Sequence, residues 1–444
     1  MIYCKRCLYP SNHPYGMIFD EAGICMGCRV HEEKDQLDWK ERFKKLEKIT
    51  HNSKLMSNKN YDCIIPVTGG GDSYYIVHVV KNLLGMNPLL VNYNSHYNTK
   101  LGIRNLANLT TVFDCDMVTS TISPNHLKKI TNQTIKQYGS MYWQVLAGYT
   151  TFPVQVAVKF RVPLVIWGVH SWSEQTGMFS HLDEVEMTHR CRKEHALMGI
   201  SAEDLVNRSS EVTRSEVQQF IYPYDNELEK VGVRGIYLSN YIRWDSKSQH
   251  ELMINEYGYE TAEQQRTFNT YEDVHCFHSA GIHDYLKYLK YGYSKVTDHA
   301  SREIRLQRMT RETGINMVKK YTHECPNDLN LFLKWIGMQE EEFFSYVNKF
   351  RDKKIWKNDN NQWILRDSIS NYPESDDPFT KKLKDNCEFH ITKNAEPSIK
   401  DNEYLLMGRG YIDSRNYGSQ EDRSAGGGMT KRKWKRPSIK GNYE

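Results

Sequence analysis

A short apolar run, Tyr61-Asp62-Cys63-Ile64-Ile65-Pro66-Val67, runs directly into Thr68-Gly69-Gly70-Gly71-Asp72-Ser73, and this junction does most to limit how the chain can fold. The run has the length of a strand. After the glycines, Ile76, Val79, Val80, Leu83 and Leu84 recur at helical spacing, with Asp72 or Ser73 suited to the N-cap. Strand, glycine loop and helix N-terminus in that order make an anion site: without Cβ atoms the backbone comes close, and loop N–H groups and the helix dipole point at negative charge. Neither G-x-x-x-x-G-K-[ST] nor G-x-G-x-x-G is present at this loop. The plain alternative is a glycine turn joining strand to helix in an ordinary α/β fold.

Further strand-length runs follow at Pro88 to Asn94, Met117 to Thr121 and Val162 to Gly168, with helical stretches between them. This alternation predicts an α/β architecture: a parallel sheet covered on both faces, with ligands at the carboxyl ends of its strands. Asn92, Asn94, Ser95 and His96 stand at such an end, either facing a nucleoside or serving as turn residues before the next helix. An aromatic group, Tyr142, Trp143 and Phe152 with Pro153, is either core or a wall for a sugar face.

Four of the ten cysteines are organised. Cys4, Cys7, Cys25 and Cys28 read C-x2-C, seventeen residues, C-x2-C, the spacing of two knuckles closing a tetrahedral thiolate site around structural Zn²⁺. Gly27 is expected to permit the tight turn of the second knuckle. Cys63, Cys115, Cys191, Cys276, Cys325 and Cys387 are scattered and read as packing residues.

Composition narrows the class. At 444 residues and 39% hydrophobic, the chain has ample core for two or three domains, and no stretch approaches the ~18 consecutive apolar residues of a membrane span. Met1 to Pro10 has no apolar signal region, so a cytoplasmic location is expected. The net charge of +4 sits in the tail: residues 1–350 carry 40 basic and 40 acidic side chains, which gives no footprint for nucleic acid.

The glycine loop resembles the S-G-G-x-D-S pyrophosphate loop of the PP-loop ATPases, with Thr68 for the first Ser and Gly71 where those enzymes often carry Lys. Zinc ribbon followed by PP-loop is shared by some tRNA-thiolating enzymes and by the N-acetyl sugar amidotransferases of bacterial surface-polysaccharide and nonulosonic acid pathways. Later segments resemble the second group. Trp167-Gly168-Val169-His170-Ser171-Trp172-Ser173-Glu174 is similar to its G-E-N-x-x-x-E element, with Val169-His170 replacing Glu-Asn. Gly235-Ile236-Tyr237-Leu238-Ser239-Asn240-Tyr241 with Trp244-Asp245 resembles G-I-Y-L-x-x-Y-x-x-W-D, and Gly292 to Ser301 followed by Arg302, Arg305, Arg308 and Met309-Thr310-Arg311 resembles G-Y-x-x-x-x-D-x-x-S…R…R-M-T-R-E. Thr188 to Lys193 resembles an R-K-E element, and the resemblance covers about Tyr3 to Trp363.

The resemblance implies an adenine nucleotide alpha-hydrolase-like ATP-binding fold and conversion of an N-acetyl group on a nucleotide-linked or acidic sugar into an acetamidino group, with ATP giving AMP and pyrophosphate. The product would enter lipopolysaccharide O-antigen or related surface sugars. It implies that Thr68, Gly69, Gly70, Gly71 and Ser73 hold pyrophosphate, with Asn92, Asn94 and Gly168 near the nucleotide. Asp72 would organise Mg²⁺ or the loop, and Glu174 would hold metal or orient the acceptor. Lys295 and Arg302, with Arg305 and Arg308, form a basic series at spacing of three that suits a triphosphate, or else they are paired with nearby acids. His299 reads as a hydrogen-bonding core residue. With no glutaminase-length region left, the ammonia source is expected to be a separate glutaminase subunit. The runner-up is tRNA thiolation, disfavoured because there is no central C-x-x-C and no basic surplus before residue 351.

The boundaries that follow are 1–35 for the zinc ribbon, 36–60 for a helical connector, 61–230 for the PP-loop domain and 231–368 for a mainly helical C-terminal region. Within that region Leu329, Leu331, Phe332, Trp335 and Ile336 form a packing face. Residues 369–444 read as a polar extension ending in a flexible basic tail, Lys431 to Arg436.

Overall fold

The computed structural model describes residues 1–381 and 383, apart from 58, 59, 209, 210 and 361. The basic tail and Cys387 lie outside the described residues. Five parallel strands form one sheet in the order β3-β2-β1-β4-β5: β1 Cys63–Val67, β2 Pro88–Asn94, β3 Met117–Thr121, β4 Leu164–Trp167 and β5 Arg234–Tyr237. All pairings are parallel. The chain reverses its direction of winding between β1 and β4, so a crevice opens at the carboxyl end of β1, where the glycine loop begins.

The strands read as apolar runs because both faces are covered. Ile64, Leu89, Val91 and Val165 pack beneath helix Trp143–Phe160, while Ile65, Val67, Leu90 and Ile166 face a cluster with Ile76, Val79 and Val80 of the helix after the loop. That helix, Gly71–Val77, continues through a wider π-helical turn, His78–Leu83, and Leu83 is exposed rather than part of the packing face. Edge strand β3 is only partly buried, and its sequence Met-Val-Thr-Ser-Thr is correspondingly more polar. β5 lies beyond the boundary drawn at 230, yet it completes the sheet by pairing Val165 with Gly235 and Ile166 with Ile236.

Beyond the sheet the C-terminal region is helical: Ile282–Tyr291, Lys295–Arg305, Arg311–Tyr321, Leu329–Ile336 and Glu340–Val347. Leu329, Phe332 and Ile336 are buried, while Leu331 and Trp335 are partly so. The antiparallel hairpin β6 Trp356–Asp359 and β7 Gln362–Leu365 follows, and Trp356 packs into the same core. The start of the stretch read as a polar extension is held on the ribbon: Ile369 is buried, Asp377 accepts from Arg6 Nε at 2.6 Å, and Ser375 donates to the carbonyl of Lys5 at 2.5 Å.

Candidate active site

The glycine loop is held by its own hydroxyls. Ser73 Oγ accepts from Thr68 N at 3.0 Å, and Thr68 Oγ1 accepts from Gly70 N at 3.2 Å. Each hydroxyl keeps its own proton to donate outward. Gly69 takes φ +95°, and a Cβ there would lie 2.5 Å from the carbonyl oxygen of Gly102, so the turn admits only glycine.

A crossing segment closes the site from above. Thr99 N donates to His275 O at 3.1 Å, Phe277 N donates to Tyr97 O at 2.9 Å, and Thr99 Oγ1 donates to Val274 O at 2.7 Å. Residues 274–277 therefore lie alongside 97–99, just past the end of β2, as a short antiparallel extension with an Asn98–Cys276 bridge. This brings Glu272, Asp273 and His275 to the loop. Thr68, Asn92, Ser95, Asn98, Tyr142 and His275 line a cavity of about 40 Å³ there. Asp273 has φ +59°, a left-handed conformation uncommon outside glycine though least so for Asp and Asn.

Helix Lys295–Arg305 supplies the cations. Lys295 Nζ donates to Asp273 Oδ2 at 2.6 Å and to Ser279 Oγ at 3.0 Å. Arg302 grips Glu272 with two nitrogens, at 2.7 and 3.1 Å, and His299 Nε2 lies 3.1 Å from the same carboxylate. Burial works to raise Glu272, but Arg302 and His299 outweigh it and hold the carboxyl well below its ordinary range. Burial likewise opposes ionisation of Asp273, and Lys295 wins, lowering it to about 2. Asp72 differs. Its Oδ1 is buried without a hydrogen bond, and burial, followed by the neighbouring carboxylates Glu272 and Asp273, outweighs the pull of His250 and Arg302 and raises the acid to about 6.

His250 stands where the sequence leaves a gap. A Cβ on Gly71 would lie 2.1 Å from His250 Cδ2 and 2.9 Å from Tyr259 Cε1, so the space a lysine stem would use is filled by an imidazole from helix Ser246–Tyr257. Its Nδ1 donates to Ser246 O at 2.6 Å, which turns Nε2 toward Asp72 Oδ1, 3.6 Å away.

Asp72, Lys295 and Arg302 thus gather around one loop, as does Asn92, which donates to Val67 O at 2.9 Å and lines the cavity. Other sequence-chosen residues have local partners. Asn94 donates to Thr121 Oγ1 and accepts from His96 N and Asn98 Nδ2, the turn role of the two open readings. Gly168 gives room to Ile76 and Trp244 at the end of β4. Glu174 accepts from Lys34 Nζ at 2.6 Å and ties helix Ser171–Thr176 to the ribbon. The aromatic group divides: Tyr142 lines the cavity and stacks on His283 at 4.2 Å, whereas Trp143 and Phe152 pack in two different cores. Of the basic series, Arg308 pairs with Glu303 and Asp245, and Arg305 faces the cysteines. No unpaired basic face therefore exists among these four side chains.

Cys4, Cys7, Cys25 and Cys28 are all buried and converge, with Sγ separations of 4.0 Å for Cys4–Cys28, 3.5 Å for Cys7–Cys25 and 3.6 Å for Cys25–Cys28. A tetrahedron with Zn–S bonds of about 2.3 Å has edges of about 3.8 Å, so the four thiols fit zinc, and their separations exclude a disulfide. Arg305 lies against Cys28 at 3.4 Å and Cys25 at 3.5 Å and donates to the carbonyls of Glu174 and Gln175, offsetting thiolate charge. This also corrects the reason for Gly27. It lies in helix Met26–Glu33 without a left-handed φ, and a Cβ there would meet Arg305 Nη2 at 2.3 Å.

The sequence reading missed Glu272, Asp273, His275 and His250. Tyr271-Glu272-Asp273-Val274-His275-Cys276 packs two acids and a histidine into an irregular segment, a usable signal; His250, on a helix of ordinary composition, offers none.

Residues 265–369, which include this segment and the cationic helix, match the family model described as LPS biosynthesis protein WbpG-like, C-terminal domain. That match agrees with the resemblance carried by Gly292 to Arg311. An uncharacterized protein of Methanocaldococcus jannaschii is 28% identical over 115 residues, which are 26% of this chain and 41% of that protein. Among solved structures, NMN synthetase from Francisella tularensis aligns over 49% of this chain and 94% of its own, at 14% identity and a TM-score of 0.26. No helix among the described residues is long and apolar enough to cross a membrane.

Proposed function

We propose that the chain is an ATP-dependent amidotransferase acting on an N-acetylated, nucleotide-linked or acidic sugar of surface-polysaccharide biosynthesis. The observation that carries this reading is the meeting of the glycine loop with Glu272, Asp273, Lys295 and Arg302 from the WbpG-like segment. An amide oxygen leaves poorly, so the chemistry needs two steps. The acetamido oxygen attacks the α-phosphorus of ATP and pyrophosphate departs; ammonia then attacks the activated carbon and AMP departs with the oxygen, leaving an acetamidine.

The loop's outward hydroxyls and backbone N–H groups receive the departing pyrophosphate, and Lys295 and Arg302 add positive charge beside it. His250 takes the place of the loop lysine, with its Nε2 facing Asp72. The donor set suits Mg²⁺, because Asp72 has an unpartnered buried oxygen and the carboxylates of Glu272 and Asp273 are near enough to perturb it. Asp72 with Glu272 or Asp273 would hold that ion, which supplies charge neutralisation for phosphoryl oxygens. Ammonia comes from a separate glutaminase subunit, and the buried cysteine tetrad holds structural zinc.

The test is to incubate the protein with Mg-ATP, ammonium and a panel of N-acetylated nucleotide sugars and nonulosonic acids, following pyrophosphate and product mass. One acceptor lighter by the difference between O and NH, with AMP formed, is the expected result. Pyrophosphate release with unmodified tRNA and with no sugar overturns it in favour of RNA thiolation.

A further inference from the structure

Cys191, expected to be a packing residue, sits between two histidines at the carboxyl end of β4. Its Sγ is 3.3 Å from His195 Nδ1 and 3.9 Å from His170 Nε2, and the three donor atoms all lie within 4.8 Å of one another. Cys191 is 7% and His170 4% exposed, while His195 is half-buried.

From these positions we infer that His170, Cys191 and His195 form a second metal site, taking zinc(II) or a similar borderline-soft dication. Zn–N bonds of about 2.05 Å and a Zn–S bond of about 2.3 Å at the tetrahedral angle require N···S edges of about 3.6 Å, and the two observed edges bracket that value. The ribbon's sulfur edges bracket their own ideal in the same way.

His170 Nδ1 is 2.8 Å from Ser173 Oγ, and in the tautomer where Nδ1 donates to that hydroxyl the Nε2 lone pair faces the thiol, the arrangement by which a metal-bound imidazole is fixed from its far side. Cys191 and His195 are brought to one side by a π-helical turn, Arg192–Ala196, that follows a three-residue helix capped by Thr188 Oγ1 on Cys191 N. Such widened turns often occur where side chains must be re-aimed for function. The Tyr15 hydroxyl donates to His195 O at 2.5 Å, so the ribbon's own loop pins the third ligand.

Three protein donors leave a fourth coordination position, which distinguishes this site from the closed cysteine tetrad. Phe179 and Tyr237 pack against the His170 ring, with centroids 5.6 and 5.1 Å away. A site of this kind binds water or a substrate donor atom at the strand ends where the fold places its chemistry. The inference stands whatever reaction the glycine loop supports.

The test is metal stoichiometry on the full chain loaded with zinc(II) and dialysed, followed by cobalt(II) substitution. The wild type is expected to hold about two ions per chain, and the variants His195→Asn and Cys191→Ser about one, with unchanged far-ultraviolet circular dichroism. The cobalt form of C191S is expected to keep the tetrathiolate spectrum of the ribbon and to lose the separate thiolate band of the second ion. About one ion in the wild type, or about two in both variants, overturns the inference. H195N changes a half-buried side chain, so it remains informative if C191S fails to fold.

Discussion

Gly71→Ala tests the account of the loop most directly. The added Cβ would lie 2.1 Å from His250 Cδ2 and 2.5 Å from Nε2, whereas ordinary contact begins near 3.4 Å, so the ring has to retreat by about 1.3 Å. It has little freedom to do so. His250 is 2% exposed, its Nδ1 is bonded to Ser246 O at 2.6 Å, and Tyr259 and Tyr271 pack against it with centroids at 5.8 and 4.9 Å. Overpacking of a rigid site costs about 1–3 kcal/mol, and the stiffness here favours the upper end. Without the imidazole the main clash is gone. Tyr259 Cε1, 2.9 Å from the added Cβ, still has to give by about half an ångström, so in a His250→Ala background alanine at 71 costs about 1 kcal/mol or less. The expected coupling in the four-member cycle G71A, H250A, the double variant and wild type is about 1–2 kcal/mol, read from thermal or denaturant unfolding. The cost of H250A itself cancels from the cycle. An equal cost of G71A in both backgrounds, or none in the wild type, refutes the claim that His250 fills the lysine position.

Other substitutions probe the surroundings of the site. The double variant K295M/D273N removes a half-buried ion pair together, and is expected to unfold near the wild-type midpoint while pyrophosphate release falls about 100-fold or more; undiminished release would take Lys295 out of the reaction. Arg266 and Asp284 are both fully buried and bonded at 3.1 Å, and R266M is expected to cost about 3–5 kcal/mol in denaturant unfolding, with much of the loss recovered in R266M/D284L. Lys290 donates to Tyr138 O at 3.1 Å, and burial lowers its pKa from 10.5 to about 8. A lysine depressed in the folded state binds fewer protons there than when unfolded, so its contribution makes stability rise with pH between about 8 and 10.5. The K290M variant, measured against wild type across that range, is expected to be favoured by about 3 kcal/mol at pH 7 and to lose that advantage by pH 10.5; a flat difference would contradict the burial argument.

What the sequence disclosed was local. β1, β2 and β4 were legible because each is an apolar run buried on both faces, β3 because Met-Val-Thr-Ser-Thr is rich in β-branched residues at the edge of the same alternation, and the loop because three glycines between a strand and a helix have few other uses. The cysteine tetrad was legible from spacing alone. β5 was not, since Arg-Gly-Ile-Tyr carries little strand signal and exists by pairing with β4. Nor was His250, nearly 180 residues from the glycine whose space it takes; only the packing of helix Ser246–Tyr257 on the loop's helix puts them together. Cys191 was hidden for the same reason, because a lone cysteine gains meaning from histidines that its own helix and the end of β4 supply.

The basic series shows how a correct helix can still mislead. Arg302, Arg305 and Arg308 at spacing of three look like one cationic face, but each step of three residues advances about 300°, so successive side chains are rotated by about 60° and raised by about 4.5 Å. That rotation is enough to give Arg302 to Glu272 and Arg305 to the cysteines one turn later. The helix then ends at Arg305; Gln307 takes φ +55°, and Arg308 is swung onto Glu303 and Asp245 instead. One eleven-residue helix therefore carries Lys295 and Arg302 against the carboxylates beside the glycine loop and Arg305 against the cysteine tetrad. The cysteine tetrad is thereby mechanically part of the site: it anchors the element that sets the two cations against Glu272 and Asp273, and a ribbon displaced from Arg305 would leave those cations without a fixed register on the loop.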